Sequence, residues 1–443
     1  AGDFVNQACV LIQDRLPGVM LQTRVSTVTH DGTIYRQEED VEPRQATRSG
    51  VSLLELPQAR VCAYSGDGPA SEPCHDGDEH FVISKSTAQR LERGRAFDRG
   101  ETRDVLGILR PGLLGKLGFK ETSHRAFPAD FSELSTGGYL AVVHVDGNRV
   151  GSRFTDYAGA ADAEDFFECW RLREKFYHTL RVGMRVAVHN ALSTVFRGKR
   201  SRTGKVPLRL LMLGGDDLVM VCGATSALRF VVELTQEVRA TTKDLPDGKG
   251  RITLGVGVAI VQDSFPFYRA YELADQLASS AKRLKASLPD TDGNVVDWLV
   301  TSEAWYGDVE ATRRDQYVVD GNLVLSGKPY RILKSTASAL PDKSLEELLA
   351  EADDLASDRV ARNQLRGLAD SLPQGRYTAR FSANVLPENL KTSLTKKGYM
   401  TADNGPWTEL PTVEGTGDLP KDKAGEPRAR RFRTLLLDLY ELY

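Results

Sequence analysis

Apolar and polar positions alternate most regularly after residue 137, where short apolar runs end abruptly in polar loops. The run YLAVVHV at 139–145 is rich in β-branched residues and ends at Asp146, as a buried strand does before a polar loop. The predicted order is strand 139–145, a long helix, strands 208–213 and 218–222, helix 225–240, strand 252–261, helix 267–286 and strand 295–300. This βαββαβ order, with one further helix and strand, predicts a ferredoxin-like palm.

The long helix after the first strand carries apolar residues spaced by threes and fours: Phe166, Trp170, Tyr177, Leu180, Met184, Val188, Leu192 and Val195. A stripe with this period packs a helix onto a sheet. Its aromatic side chains are therefore predicted to belong to the core and not to a cofactor-binding box.

The flanking regions are less regular. On the N-terminal side we predict a helix at 4–17, a strand at 19–29 and a broken, mostly helical stretch at 82–134. Beyond residue 300 we predict a short β region at 316–333, helices at 344–357 and 359–371, a loop at about 399–427 and a closing helix at 428–443. The expected class is α/β (α+β), with an N-terminal α/β domain (1–136), a palm (137–300) and a mainly helical C-terminal domain (301–443). Residues 4–80 permit a second, degenerate palm.

Composition narrows the function classes. A length of 443 residues suffices for two or three domains, and a net charge of −3 with 41% apolar residues excludes wholesale disorder and a uniformly basic nucleic-acid coat. No run of eighteen apolar residues and no secretory signal are present, which predicts a cytoplasmic protein without a membrane partner.

The five cysteines are scattered, odd in number and typical of a reducing compartment. Cys62 and Cys74 flank a Gly/Pro-rich segment in which His75 and His80 could complete a zinc set. A polar loop without metal is the favoured interpretation, because no CxxC pair is present.

The candidate chemistry lies at the ends of the predicted palm strands. Asp146 ends the first strand, and Asp216 and Asp217 occupy the hairpin turn between 213 and 218, so the sheet should place them side by side. Mg²⁺ or Mn²⁺ prefers carboxylate oxygen, and two such ions could be bridged there for phosphoryl transfer. The tetrapeptide Gly214-Gly215-Asp216-Asp217 is by itself equally typical of an ordinary hairpin turn. Only the surrounding order of strands and helices favours a catalytic site.

Glycines surround these acids. Gly214 and Gly215 permit positive φ in the turn and let a phosphate approach the backbone, and Gly147 and Gly151 are expected to do the same after the first strand.

Three motifs together carry a family resemblance. VDGNRVG (145–151), LGGDDLVMV (213–221) and the run from ITLGVGVAIV to SAKRLK (252–285) resemble the cyclase palm of the large subunit of type III CRISPR effector complexes. They are similar, more distantly, to GGDEF diguanylate cyclases. The segment LSGKPYRIL (325–333) and the helices after it also resemble the family's C-terminal region. The resemblance implies a metal-dependent nucleotidyltransferase that acts on ATP.

The resemblance also implies roles for single residues. Asp146 matches the first acid of the family's Asp-x-Asp-x-x-Gly, and Asp216 and Asp217 match its Gly-Gly-Asp-Asp; all three would be metal ligands. Lys282 matches a lysine that contacts the triphosphate, although a solvated helix charge is an equal alternative. Asn148 departs from the pattern, because it replaces the second acid and can bind nucleotide or metal only without charge.

Other candidates are weaker. The dipeptides His30-Asp31 and His75-Asp76 lack the helical array of an HD nuclease, so we expect no such activity. His144 lies on the same strand face as Asp146 and is a candidate general base, but a hydrogen-bonded structural histidine is favoured. The basic runs 197–205 and 428–433 could contact RNA, although solvated loops are more common.

The predicted reaction is attack of a ribose hydroxyl on the α-phosphate of a nucleoside triphosphate. It would release pyrophosphate and give a cyclic or short oligonucleotide signal in antiviral defence. Such a product needs two nucleotides, and hence two palms in one chain or a homodimer. The alternative is a nucleotide-binding, non-catalytic scaffold in an RNA-guided or defence complex, which Asn148 favours. Template-directed polymerisation is disfavoured, since no fingers or thumb pattern accompanies the palm.

Overall fold

The computed structural model describes residues 60–64, 69–76, 79–98, 112–120, 126–128, 130–159, 166–286, 288, 293–302, 308–334, 343–357, 360, 362–401, 403–410 and 431–442. The helix predicted at 4–17 and the strand predicted at 19–29 lie outside these residues. The chain divides into two compact units. One takes in residues 1–108, 122–125 and 154–173, and the other takes in 109–121, 126–153 and 174–443.

The first unit contains an antiparallel hairpin of β1 (Ala70–Asp76) and β2 (Glu79–Ser84), followed by α1 (Lys85–Asp98). Cys62, Cys74 and Ile83 form its buried cluster. The polar-loop interpretation of this segment is therefore wrong, because alternate side chains of the hairpin are buried under the helix.

The second unit contains most of the palm. The strands of this second unit are β3 (Tyr139–Gly147), β4 (Leu208–Gly214), β5 (Asp217–Gly223), β6 (Leu254–Gln262), β7 (Val295–Thr301), β8 (Val318–Val319), β9 (Leu323–Val324), β10 (Tyr330–Arg331), β11 (Thr408–Glu409) and β12 (Phe432–Arg433). The helices that follow β3 are α2 (Val150–Gly159), α3 (Phe166–Phe196), α4 (Ala224–Thr241), α5 (Phe267–Lys285), α6 (Val309–Tyr317), α7 (Leu345–Ser357), α8 (Arg362–Ser371), α9 (Arg376–Val385), α10 (Glu388–Lys396) and α11 (Leu436–Leu442).

The main sheet has six strands in the order β10-β7-β6-β3-β5-β4. The central strand β3 is antiparallel to both β5 and β6, and β6 is parallel to β7. This is the predicted ferredoxin-like palm with its extra strand, and the helices after residue 343 form the predicted helical C-terminal region. Among the described residues, no helix combines the length and apolarity that crossing a bilayer requires.

Helix α5 packs on β3, β6 and β7. A Cβ atom at Gly257 would lie 1.9 Å from the Ala274 carbonyl oxygen, so only glycine allows this close approach of helix and strand. Side chains alternate along β3, so His144 and Asp146 share the face that α5 covers.

The long helix α3 corrects one detail of the predicted stripe. Leu180, Met184, Val188 and Leu192 are fully buried, as predicted. Tyr177 is instead 41% exposed, and its neighbour Phe176 is buried in its place. The buried side chains therefore follow 176-180-184, one position earlier than predicted at this end. The side chains of Phe166 and Trp170 lie outside the described residues.

The closing helix is shorter than predicted. It begins at Leu436, because Phe432 and Arg433 form a strand that pairs in parallel with Leu323 and Val324. Helices α6, α9 and α10 were not predicted from the periodicity. Buried hydrogen bonds fix the closing helix to the palm, with Asp438 accepting one from Tyr330 Oη at 2.6 Å.

Candidate active site

Three carboxylates converge at one edge of the six-stranded sheet. Asp146 lies at the end of β3, and the preceding residue, Val145, pairs with Leu218 of β5. Asp216 and Asp217 occupy the turn of the β4–β5 hairpin. One oxygen atom from each aspartate lies within 4.8 Å of the others, and all three side chains are half-buried. The predicted proximity of Asp146 to this turn is confirmed.

The site glycines act differently from one another. A Cβ atom at Gly147 would lie 2.6 Å from Asp216 Oδ2, so a side chain there would push this carboxylate away. Gly215 has a φ of 63°, the left-handed conformation expected in the turn. The expectation of positive φ at Gly214, Gly147 and Gly151 is wrong, because Gly214 and Gly147 end extended strands and Gly151 lies in the first turn of α2.

The cluster carries more negative than positive charge. Burial raises the pKa of Asp216 from 3.8 to about 6; its own backbone hydrogen bond opposes this, and the charges of Asp217 and Asp146 add to it. Burial also raises the pKa of Asp217, with a further contribution from Asp146, whereas His144 and Lys282 lower it. A cation among the three carboxylates would relieve this repulsion.

Lys282 reaches the cluster from α5, and its ammonium group forms an ion pair with Asp146. The side chain crosses the backbone of β6 at Gly255, where a Cβ atom would lie 2.7 Å from Lys282 Cγ and 3.0 Å from Cε. Gly255 is thus a site residue that the sequence interpretation missed. The signal was the Gly-x-Gly spacing of LGVGV, in which Gly257 admits the helix and Gly255 admits its lysine.

Asn148 does not lie free beside the acids. Its side chain is buried, and its Nδ2 donates to Thr253 Oγ1 at 3.1 Å and to the Gly293 carbonyl oxygen at 2.9 Å. The side chain therefore joins the turn after β3 to two other segments.

His144 is buried between β3 and α5. Its Nδ1 lies 3.3 Å from Asp275 Oδ1 without an aligned hydrogen bond, and its ring lies 5.6 Å from that of Tyr271. The hydrogen bond expected of a structural histidine is thus not formed at Nδ1, and both the structural role and the general base stay predictions.

The basic loop at 197–205 is largely engaged within the fold. Lys199 donates to Ser226 Oγ at 3.0 Å, and Arg200 lies over the Phe119 ring at 3.8 Å and donates to main-chain carbonyl groups. Lys205 pairs with Glu133 at 3.2 Å. RNA contact by this loop therefore stays a prediction. Residues 428–430 of the second basic run lie outside the described residues.

The zinc set is not assembled. Cys62 and Cys74 are buried, whereas His75 and His80 lie ring to ring on the exposed face of the hairpin, because successive strand residues point to opposite faces. Within the ranges that the structure describes, Asp146, Asp216 and Asp217 are the one group of three or more His, Cys, Asp or Glu side chains close enough to share a metal ion.

Comparison with known proteins supports the resemblance carried by the motifs. Residues 139–287 match the family Cas10/Cmr2, second palm domain, a stretch that contains all three carboxylates and Lys282. The resemblance is therefore confirmed for this stretch. No curated protein matches the chain significantly.

Solved structures with a similar fold include Csm1 of T. onnurineus, at 19% identity and a TM-score of 0.26, covering 35% of this chain and 22% of that one. The GGDEF domain of DgcB from Caulobacter crescentus, in complex with c-di-GMP, matches at 15% identity and a TM-score of 0.22, covering 48% and 92%. The match thus spans about a fifth of the Csm1 chain.

Proposed function

We propose that the palm is a metal-dependent nucleotidyltransferase of the nucleotide-cyclase type, acting on ATP. The observation that carries this proposal is the convergence of Asp146, Asp216 and Asp217 within 4.8 Å, in a stretch that matches the Cas10/Cmr2 second palm. The ribose hydroxyl oxygen would form a bond to the α-phosphorus while the bond to the leaving pyrophosphate breaks. The hydroxyl proton would pass to solvent.

The donor set fits Mg²⁺ or Mn²⁺. Carboxylate oxygens are the ligands that these hard cations prefer, and burial together with the charges of Asp217 and Asp146 raises the pKa of Asp216. Asp146, Asp216 and Asp217 would hold two such ions. When bound, the ions would offset triphosphate charge and lower the pKa of the attacking hydroxyl.

The remaining residues of the site would bind and orient the nucleotide. Gly214 and Gly151 have open space where a Cβ atom would be, so phosphate oxygens could approach the backbone there. Gly147 and Gly215 shape the same edge of the site. Lys282 pairs with Asp146 and would exchange this partner for a triphosphate oxygen, because both are strong acceptors for an ammonium group.

The product would be a cyclic or short oligonucleotide signal, released in an antiviral defence that the Cas10/Cmr2 match supports. Partners would include RNA or proteins of a defence complex. A cyclic product would also require a second palm, from residues 1–80 or from a second copy of the chain.

A second candidate is a palm that binds nucleotide without turnover. It is favoured by Asn148, which supplies no charge at the position of the second acid. Purified protein incubated with labelled ATP and Mn²⁺, followed by mass spectrometry, separates the two. A new nucleotide product that requires Asp216 and Asp217 supports the enzyme, whereas saturable ATP binding without product supports the scaffold. GTP in place of ATP tests base preference, and primer extension on a template tests polymerisation.

A further inference from the structure

Both hydrogens of the Asn148 side-chain amide are used in hydrogen bonds. Its Nδ2 has two hydrogens, and these are directed to Thr253 Oγ1 and the Gly293 carbonyl oxygen. A carbonyl oxygen only accepts, so the nitrogen of the amide, and not its oxygen, must face Gly293. The Asn148 backbone N–H donates in addition to the Thr253 carbonyl oxygen at 2.8 Å. A carboxylate could not make the two side-chain bonds, because it has no hydrogen to donate.

These bonds hold a strained turn. Arg149 follows Asn148 with a φ of 59°, the left-handed region that costs free energy for residues other than glycine. Such a conformation persists only where the surroundings stabilise it. Asn148 supplies this on one side of the turn, immediately after the end of β3.

The far side of the turn is held by a second anchor. Arg153 in α2 is buried and forms a bidentate ion pair with Asp247, and its Nη2 also donates to the Gly250 carbonyl oxygen at 2.8 Å. The chain from Asp146 to Arg153 is thus fixed at two points to the segment 247–253 that leads into β6.

We propose that Asn148 is a positioning residue, an inference that rests on the proposed function. It would touch neither nucleotide nor metal. Its amide would hold the turn onto Thr253 and Gly293, and so keep the Asp146 carboxylate within reach of Asp216 and Asp217. Asn148 stands at the position of the family's second acid. It therefore fixes the turn by hydrogen bonds in this chain and does not serve as an uncharged metal ligand.

The two roles make opposite predictions for Asn148→Asp. If position 148 is a ligand position, the added carboxylate should tighten Mn²⁺ binding. If Asn148 is an anchor, the new carboxylate faces the Gly293 carbonyl oxygen, the turn is released and Mn²⁺ binding weakens. Changes in residues that orient metal ligands commonly cost about 10–100-fold in metal affinity, and we expect about tenfold here.

The experiment measures Mn²⁺ affinity of the full chain without nucleotide, by the electron paramagnetic resonance signal of free Mn²⁺. Thr253→Val removes one acceptor of the Asn148 amide and should weaken Mn²⁺ binding about threefold. Thr253→Ser keeps the hydroxyl and should bind Mn²⁺ as the parent does. The exposed Asn389→Asp makes the same chemical change on α10 and serves as the control. Melting temperatures are recorded for every variant.

Each result decides the matter. Tighter Mn²⁺ binding by Asn148→Asp would make position 148 a ligand and overturn the proposal. A lowered melting temperature with unchanged Mn²⁺ affinity would make the amide merely structural and also overturn it. Should Asn148→Asp fail to fold, the contrast between Thr253→Val and Thr253→Ser gives the same test. If the parent protein itself binds no Mn²⁺, the proposed metal site is overturned together with the role of Asn148. This result distinguishes failure of the proposed function from failure of the Asn148 proposal alone.

Discussion

Replacing Asp216 and Asp217 together with asparagine should abolish activity without weakening the metal-free fold. In the folded protein the pKa of Asp216 is raised from 3.8 to about 6. A raised pKa means that protonation stabilises the fold. This contribution is complete below about pH 4 and is lost as the pH rises through about 6. Above that range the parent carries a partly buried negative charge, and its repulsion by Asp217 and Asp146, which the neutral asparagines lack.

The size of the effect follows from the same pKa. A shift of about two units corresponds to about 3 kcal/mol, and solvent screening of this half-buried group lowers the figure to about 2 kcal/mol. At about 2–4 °C per kcal/mol for domains of this size, the double variant should melt about 4–8 °C above the parent at about pH 8 in the presence of a chelator. The difference should vanish near pH 4. Added Mn²⁺ should stabilise only the parent, since ligands stabilise the state that binds them.

Turnover should change in the opposite direction. Loss of the metal ligands removes several kcal/mol of transition-state stabilisation, so product formation should fall by roughly a thousandfold or more. Calorimetry across pH and mass spectrometry of the product are the two measurements. The exposed pair Asp315→Asn plus Asp403→Asn is the control and should change neither. A double variant that turns over near the parental rate, or that melts lower than the parent at about pH 8 without metal, would show that the turn is structural and refute the reasoning.

Four further outcomes are expected. Lys282→Ala should raise the KM for ATP by about tenfold with a smaller change in Mn²⁺ affinity, because the ammonium group binds triphosphate; an unchanged KM in steady-state kinetics would make it a surface charge. Gly255→Ala should mimic this loss with a small decrease in melting temperature, since the new Cβ displaces the flexible Lys282 side chain and approaches Asn148 Oδ1 to 3.2 Å. Gly257→Ala should be strongly destabilised, because its Cβ would meet the Ala274 backbone oxygen at 1.9 Å. Mn²⁺ affinity should rise between about pH 5 and pH 7, because Asp216 must lose its proton to bind the ion. Titration calorimetry in buffers of different ionisation enthalpy would detect the released proton. An affinity that does not depend on pH would contradict this expectation. Finally, sedimentation with ATP and Mn²⁺ should reveal a dimer if the product is a cyclic dinucleotide and residues 1–80 are not a palm; a persistent monomer making that product would contradict this.

The sequence by itself determined the palm and the identity of its acids. Strand 139–145 and the hairpin at 208–222 are short apolar runs whose burial on a sheet is the dominant driving force, and their period admits few other arrangements. Because Asp146, Asp216 and Asp217 sit where these runs end, the strand order alone predicted their proximity.

Only the tertiary structure decided the contacts that depend on several segments at once. The amide of Asn148 meets Thr253 and Gly293, which are remote in sequence, and no local pattern reveals such a bond. The same holds for Lys282 crossing Gly255, and for Phe432, which pairs with Leu323 in a strand although its local sequence favours a helix. Local periodicity specifies which face of an element is buried, whereas long-range packing specifies which polar atoms meet on that face, because those bonds depend on positions that only the folded chain brings together.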